Sequence, residues 1–73
     1  MPKLPVISGQ EVCRNLEKHG FTKVRQRGSH IVMQRSGEGG TITIPVPNHG
    51  ELRTGTLRSI IRQSGLGVDA FCR

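Results

Sequence analysis

The sequence is poor in the residues from which small proteins build disulfide or metal frameworks. Only two cysteines, Cys13 and Cys72, occur among its 73 residues, so at most one intramolecular disulfide could form. There is no Cys-x-x-Cys pair and no pair of histidines at metal-ligand spacing, which argues against a structural zinc site. We therefore expect no metal or other cofactor, reduced thiols with Cys13 in the core and Cys72 at a frayed end, and a cytoplasmic protein.

Long apolar runs and aromatic residues are also scarce. No uninterrupted apolar run exceeds three residues, whereas a membrane-spanning helix needs about 18–20. Neither a membrane segment nor a signal peptide is therefore expected. The only aromatic residues are Phe21 and Phe71. Both are predicted to lie in the core, so the sequence predicts no exposed aromatic platform for stacking bases.

Acidic residues are few, and their distribution is uneven. The chain has 5 Asp and Glu against 11 Lys and Arg, which gives a formal net charge of +6 and a pI of about 10.8. Two stretches, 18–37 and 52–68, contain no acidic residue. Their cations are Lys18, Lys23, Arg25, Arg27 and Arg35 in the first stretch and Arg53, Arg58 and Arg62 in the second. Such clustering favours a nucleic acid partner over a charged surface that serves solubility alone.

A first helix is predicted after the proline-containing start of the chain. The run Ser8-Gly9-Gln10-Glu11 fits the S-x-x-E capping box. Apolar residues then follow at helical spacing, namely Val12, Cys13 and Leu16. Gly20 predicts a left-handed stop that places Phe21 over Leu16.

Three strands are predicted next, over Phe21–Arg27, Ser29–Arg35 and Thr41–Ile44. In the first strand, alternation places Lys23, Arg25 and Arg27 on one side and Val24 on the other.

Short connections separate these strands. Gly28 makes the first turn, residues 36–40 form a five-residue hairpin loop, and the third strand is predicted to stop at Pro45. Connections this short favour an antiparallel meander, because parallel strands need a longer crossover.

A second helix is predicted from about Gly55 to Gln63. Its buried stripe comprises Leu57, Ile60 and Ile61. Gly65 ends the helix, and a final turn carries Phe71 onto the core. The resulting fold class is α+β: a small α-β-β-β-α domain with a three-stranded antiparallel sheet and two helices on one face, the order of elements in double-stranded-RNA-binding domains.

Several runs of this sequence resemble the HicA toxins. In the first half they are Ser8-Gly9-Gln10-Glu11, His19-Gly20-Phe21 and Arg25-Gln26-Arg27-Gly28-Ser29-His30. In the second half they are Thr41-Ile42-Thr43-Ile44-Pro45-Val46-Pro47, Gly50-Glu51-Leu52, Gly55-Thr56-Leu57, Ile60-Ile61 and Gly65-Leu66. The resemblance covers nearly the whole chain in order, which predicts one HicA-like domain over residues 1–73.

The resemblance implies a double-stranded-RNA-binding-like fold and metal-independent endoribonuclease activity against messenger RNA. It also implies neutralisation by a cognate HicB antitoxin. Operator DNA, contacted through the antitoxin complex, is a further partner that we consider. The family's catalytic histidine falls on His30. Two positions depart from many members: Ile31 and Pro47 stand where a second histidine is common. His49 lies two residues beyond Pro47, so it inherits no role by position.

The chemistry that RNA cleavage requires is compatible with these residues. RNA supplies its own nucleophile, the 2′-hydroxyl, and a histidine side chain exchanges protons near cellular pH. Arginine and lysine stabilise the charge that develops at phosphorus. The resemblance, with which this chemistry agrees, therefore implies that His30 is the catalytic residue. The predicted RNA contacts are Lys23, Arg25, Arg27, Ser29, Arg53, Arg58 and Arg62.

The side of the sheet on which His30 lies stays open at this point. If Ile31 and Met33 point inward, His30 lies on the open face with the basic side chains. If Val32 points inward, His30 lies on the helix side. No function is predicted for the other two histidines. His19 is interpreted as a structural residue at the C-terminal end of the first helix, and His49 as an exposed loop residue.

Two other functions share this fold and charge. One is a non-catalytic module that binds double-stranded RNA or other nucleic acid. The other is an interaction subunit that acts inside a toxin–antitoxin complex, on its operator DNA. Cleavage of RNA by the wild type but not by a His30→Ala variant distinguishes the enzyme from both.

Overall fold

The computed structural model describes residues 6–71, so Cys72 lies outside the described part of the chain. Its elements are α1 (Gly9–Glu17), β1 (Thr22–Arg27), β2 (His30–Gly37), β3 (Gly40–Pro47), α2 (Thr54–Ser64) and a short 3₁₀ turn (Val68–Ala70). The strands form one antiparallel sheet in the order β1-β2-β3. This confirms the predicted α+β class and element order.

Helix α1 begins and ends as its local sequence predicts. The Ser8 Oγ accepts a hydrogen bond from the Glu11 backbone N–H at 3.1 Å, which satisfies a donor that the first turn leaves unpaired. At the other end Gly20 has a φ of +92°. Phe21 N–H donates to the Leu16 carbonyl at 3.1 Å, the long hydrogen bond of a Schellman motif.

Both helices pack on one face of the sheet and enclose the core between them. The buried sheet residues are Ile31, Met33, Ile44 and Val46, and the buried helix residues include Val12, Leu16, Leu57, Ile60 and Ile61. Phe71 is also buried, which confirms that the final turn covers the core. The other face of the sheet carries no helix in the described part of the chain. No helix within residues 6–71 is long and apolar enough to cross a membrane.

A β-bulge corrects the predicted sidedness of β1. Lys23 pairs with Met33, but Arg25 pairs with Val32, so Val24 is the extra residue on β1. The bulge reverses the alternation, because Lys23 faces the helices whereas Arg25 and Arg27 face the open side. The prediction that Lys23 shares a side with these two arginines is therefore wrong. Val24 is 46% exposed rather than inward-facing.

The second hairpin also differs from the prediction. Its strands extend to Gly37 and from Gly40, so two residues form the loop instead of five. Strand β3 does not stop at Pro45 but continues to Pro47, in register with β2. The prolines are tolerated because β3 is an edge strand, on which a missing N–H need not break the ladder.

The N-terminus of α1 lies against the end of β3. Gly9 N–H donates to the His49 carbonyl at 2.9 Å. A Cβ at Gly9 would overlap the Pro47 carbonyl oxygen and lie 3.1 Å from the Asn48 Cα. The contact is therefore closed to any residue larger than glycine unless the backbone moves. Ile7 extends it, since its carbonyl accepts the Leu52 N–H at 2.9 Å.

Candidate active site

His30 is the first residue of β2 and follows directly on the tight turn from β1. Gly28 in that turn has a φ of +56°, which suits the first central position of a type II′ hairpin turn. The Ser29 carbonyl accepts the Asn48 backbone N–H at 2.6 Å. The turn is thereby attached to the chain beyond β3, so the His30 backbone is held from both neighbouring strands.

The burial pattern of β2 places His30 on the open face. Ile31 and Met33 are buried against the helices, and His30 is exposed on the opposite side. Of the two arrangements that the sequence left open, this is the one in which His30 shares a face with basic side chains.

Arg27 and Arg25 are the basic neighbours of His30 on this face. Arg27 stands directly opposite His30 in the β1–β2 register, and Arg25 stands opposite Val32, one step along the same side. Opposed residues in an antiparallel pair have Cβ atoms about 4.5–5.5 Å apart. None of the three strands contains an acidic residue. We call Arg25, Arg27 and His30 the basic open face.

The remaining predicted RNA contacts lie at three other places. Lys23 points toward α1, and its Nζ donates to the Gln26 Oε1 at 3.3 Å. Ser29 is exposed in the turn beside His30. Three arginines at α2 are exposed on the helix side of the sheet: Arg53 at the N-cap, and Arg58 and Arg62 within the helix. The fold therefore brings Arg25, Arg27 and Ser29 together with His30 but not the α2 arginines.

Arg35, one of the clustered cations, is engaged within the fold. Its Nη1 donates to the His19 carbonyl at 3.2 Å, and its guanidinium lies 5.0 Å from the centroid of the Phe21 ring. Because it covers the end of α1, Arg35 is not part of the basic open face.

The other two histidines are placed as expected. The His19 Nδ1 lies 2.9 Å from the Asn15 carbonyl, so the ring serves the last turn of α1. His49 is exposed, and its backbone carbonyl binds Gly9.

Cys13 is a poor nucleophile in this environment. It is buried, as predicted. Burial raises the pKa of its thiol above the ordinary value for cysteine, the Glu17 carboxylate raises it further, and Lys23 partly opposes them. The thiol therefore stays protonated at neutral pH, which argues against cysteine-based catalysis.

Within residues 6–71, no group of three or more His, Cys, Asp or Glu side chains is placed to hold a metal ion. The described part of the chain places the His30 imidazole beside two arginines on one open face of the sheet.

Sequence reasoning missed residues that shape this end of the molecule. Asn48 and Gly9 received no role, although the first is tied to the His30 turn and the second to the end of β3. The capping box located Gly9 in the first turn of α1, but no local signal indicates a close approach by a distant strand.

Comparison with known protein families identifies the chain. Residues 9–66 of the 73 match the family described as the HicA toxin of bacterial toxin–antitoxin. The chain belongs to the HicA toxin family. The match spans every helix and strand from α1 to α2, including the turn that holds His30. A HicA toxin belongs to a toxin–antitoxin pair, so an antitoxin partner is implied. Among curated proteins compared one by one, none matches this HicA toxin.

Proposed function

We propose that this HicA toxin is a metal-independent endoribonuclease that cleaves messenger RNA, with His30 as its general acid–base. The observation that carries the proposal is an exposed imidazole directly opposite Arg27, on a sheet face without acidic residues. Such a face attracts the phosphates of RNA, and the imidazole supplies the proton transfer that cleavage needs.

The chemistry requires one bond to form and one to break. His30 removes the proton from a ribose 2′-hydroxyl, and the 2′-oxygen attacks the adjacent phosphorus. The bond from phosphorus to the 5′-oxygen breaks, and that oxygen takes up a proton from the imidazolium or from water. The products are a 2′,3′-cyclic phosphate and a 5′-hydroxyl. Arg27 and Arg25 stabilise the negative charge on the phosphorane, and Ser29 in the turn is a further phosphate contact.

The antitoxin partner in this proposal is a HicB protein that covers the basic open face. A complementary acidic surface would pair with Arg25 and Arg27 and bury His30. Operator DNA is a further ligand of the complex, contacted through the antitoxin. In this proposal the cytoplasm, where messenger RNA is available, is the site of action.

A cleavage assay with purified toxin and labelled RNA tests the proposal by comparing an arginine of the basic open face with an arginine of α2. The wild type is expected to cut in the presence of a chelator and to leave cyclic phosphate ends. Arg27→Gln is expected to lower kcat by about 10²-fold, because it removes charge beside the phosphate that reacts. Arg62→Gln removes the same charge from α2 and is expected to weaken RNA binding without a comparable loss of kcat.

Three results would contradict this assignment. If Arg27→Gln and Arg62→Gln lowered kcat equally, catalysis would not depend specifically on the basic open face. If a chelator stopped cleavage, the mechanism would require a metal ion. Cleavage that persists with the antitoxin in molar excess would contradict its proposed docking over His30.

A non-catalytic nucleic-acid-binding module is the second candidate function. The observation in its favour is the pair of residues opposite His30: Arg27 on one side and Pro47 on the other. Neither residue can act as a second general acid beside the His30 imidazole. Retention of RNA by an unreactive wild type would establish this function instead.

A further inference from the structure

A groove of about 290 Å³ with polar walls and an apolar floor lies between α1 and β1, on the helix side of the sheet. Its polar walls come from three parts of the chain: Gln10 and Arg14 of α1, Lys23 and Gln26 of β1, and Asn48 after β3. Its floor is formed by the buried residues Cys13, Ile31 and Met33. The volume lies near the lower limit of about 300–1,000 Å³ for small-molecule sites, so the groove suits one small planar group.

The bulge in β1 gives this groove its lysine. The extra residue at Val24 turns Lys23 away from the open face, and Gln26 shares its inward side. The facing wall comes from α1, on which Gln10, Arg14 and Glu17 recur along one stripe toward β1. A regular β1 would have placed Val24 on this side in place of Lys23, and the β1 wall of the groove would then carry no cation.

Two wall residues connect the groove to the turn that holds His30. The Gln26 Nε2 donates to the Gly28 carbonyl at 3.5 Å. The Asn48 N–H donates to the Ser29 carbonyl at 2.6 Å. The groove and the basic open face thus lie on opposite sides of one two-residue turn. An RNA strand with a phosphate at His30 can cross that turn and place a neighbouring base in the groove.

We propose that this groove holds one unpaired nucleobase of the RNA, next to the phosphate at His30, and so determines base preference. The proposal rests on the proposed function, since it extends the same RNA-binding surface. Side-chain amides carry paired donors and acceptors, the arrangement that reads base edges, and the groove has three of them, in Gln10, Gln26 and Asn48. The Gln26 amide bonds Lys23 and the Gly28 carbonyl, which leaves it one further N–H donor and one further acceptor site for a base.

The charged groups of the groove support a base over a bare phosphate. Arg14 and Lys23 suit the flanking phosphates, and the Arg14 guanidinium plane can also stack on a base. Glu17 lines the same groove, and its carboxylate repels phosphate but accepts hydrogen bonds from exocyclic amino groups. The apolar floor, which carries no charge, then packs against the base.

The binding test uses the His30→Ala variant, which is expected to leave RNA intact, and four short unpaired oligonucleotides that differ at one central base. Nuclear magnetic resonance follows the side-chain amide signals during titration. The signals of Gln10, Gln26 and Asn48 are expected to shift, by amounts that differ among the four bases. Gln63, bonded to Ser59 on α2, is the internal control: it lies beside Arg62, so its signal can move on RNA binding, but by the same amount for all four bases. Groove signals that stay fixed, or whose shifts differ among the bases no more than that of Gln63, would overturn the proposal.

Cleavage by otherwise wild-type toxin supplies the second readout. Gln10→Ala and Gln26→Ala are each expected to reduce the base preference beside the cut site by about tenfold, the value of one lost hydrogen bond to a base edge. Gln63→Ala is expected to leave the base preference unchanged.

A wild type that cuts RNA with no preference at that base would overturn this inference and leave the proposed function standing. A wild type that cuts no RNA would overturn the proposed function, and the titration would then decide the groove alone. Groove signals that respond to the antitoxin but to none of the RNAs would assign the groove to the protein partner instead.

Discussion

Replacement of His30 by alanine is expected to lower the rate of RNA cleavage by about 10²–10⁴-fold, the range that a positioned acid–base contributes. The fold should be unaffected, because the side chain is exposed on the open face and contributes nothing to the core. Surface substitutions of this kind usually change stability by less than about 0.5 kcal/mol. The expected result is a folded, RNA-binding and inactive toxin.

Induced expression in a bacterium measures this effect directly, with growth and messenger RNA integrity followed together. The wild type is expected to arrest growth with fragmented messages, and His30→Ala to do neither. His49→Ala is the matched control, since His49 is also an exposed histidine but lies outside the basic open face. Thermal unfolding of the purified variants confirms that each is folded. If His30→Ala arrests growth as the wild type does, or if messages stay intact during arrest, His30 is not the catalyst.

The second large effect is expected at Gly9. A Cβ there would overlap the Pro47 carbonyl oxygen, and backbone atoms on both sides prevent an easy adjustment. Overpacking of this kind costs about 1–3 kcal/mol, a large share of the roughly 4–11 kcal/mol expected for a domain of this length. Gly9→Ala should therefore lower Tm by about 4–8 °C for each kcal/mol lost.

Gly55→Ala is the matched control for this substitution, because both glycines lie in the first turn of a helix. No atom lies within 4 Å of a Cβ built at Gly55. Alanine should therefore stabilise α2 by about 0.5–1 kcal/mol through its better helix propensity. Thermal unfolding of the two variants is expected to move Tm in opposite directions. A Gly9→Ala variant as stable as the wild type would show that α1 does not approach β3 as closely as described.

The Gly9 contact also bears on the active site. Pro47, whose carbonyl Gly9 approaches, stands opposite His30 in the sheet. Movement of the β3 end would alter the support of His30 as well as the helix contact. We therefore expect Gly9→Ala to lose activity at temperatures where it is still folded, while Gly55→Ala retains it.

Local sequence was sufficient for the helices and for the order of elements. The N-cap at Ser8, the left-handed stop at Gly20 and the buried stripe of α2 each depend on neighbouring residues, and each was predicted correctly. The histidine itself was located through resemblance to the family. The glycine turn before it was readable from the sequence, because only a short connection joins the two strands.

The sequence by itself determined the elements, the excess of basic charge and the neighbourhood of His30. Only the tertiary structure decided on which side each strand residue lies. Alternation defines two faces but not which one is buried, and three consecutive apolar residues, Ile31 to Met33, fit either arrangement. The packing of α1 and α2 selected the face, and the bulge at Val24 then separated Lys23 from Arg25 and Arg27. The continuation of β3 to Pro47 and the close contact of Gly9 with Pro47 likewise depend on distant segments of the chain. No local sequence pattern encodes such contacts.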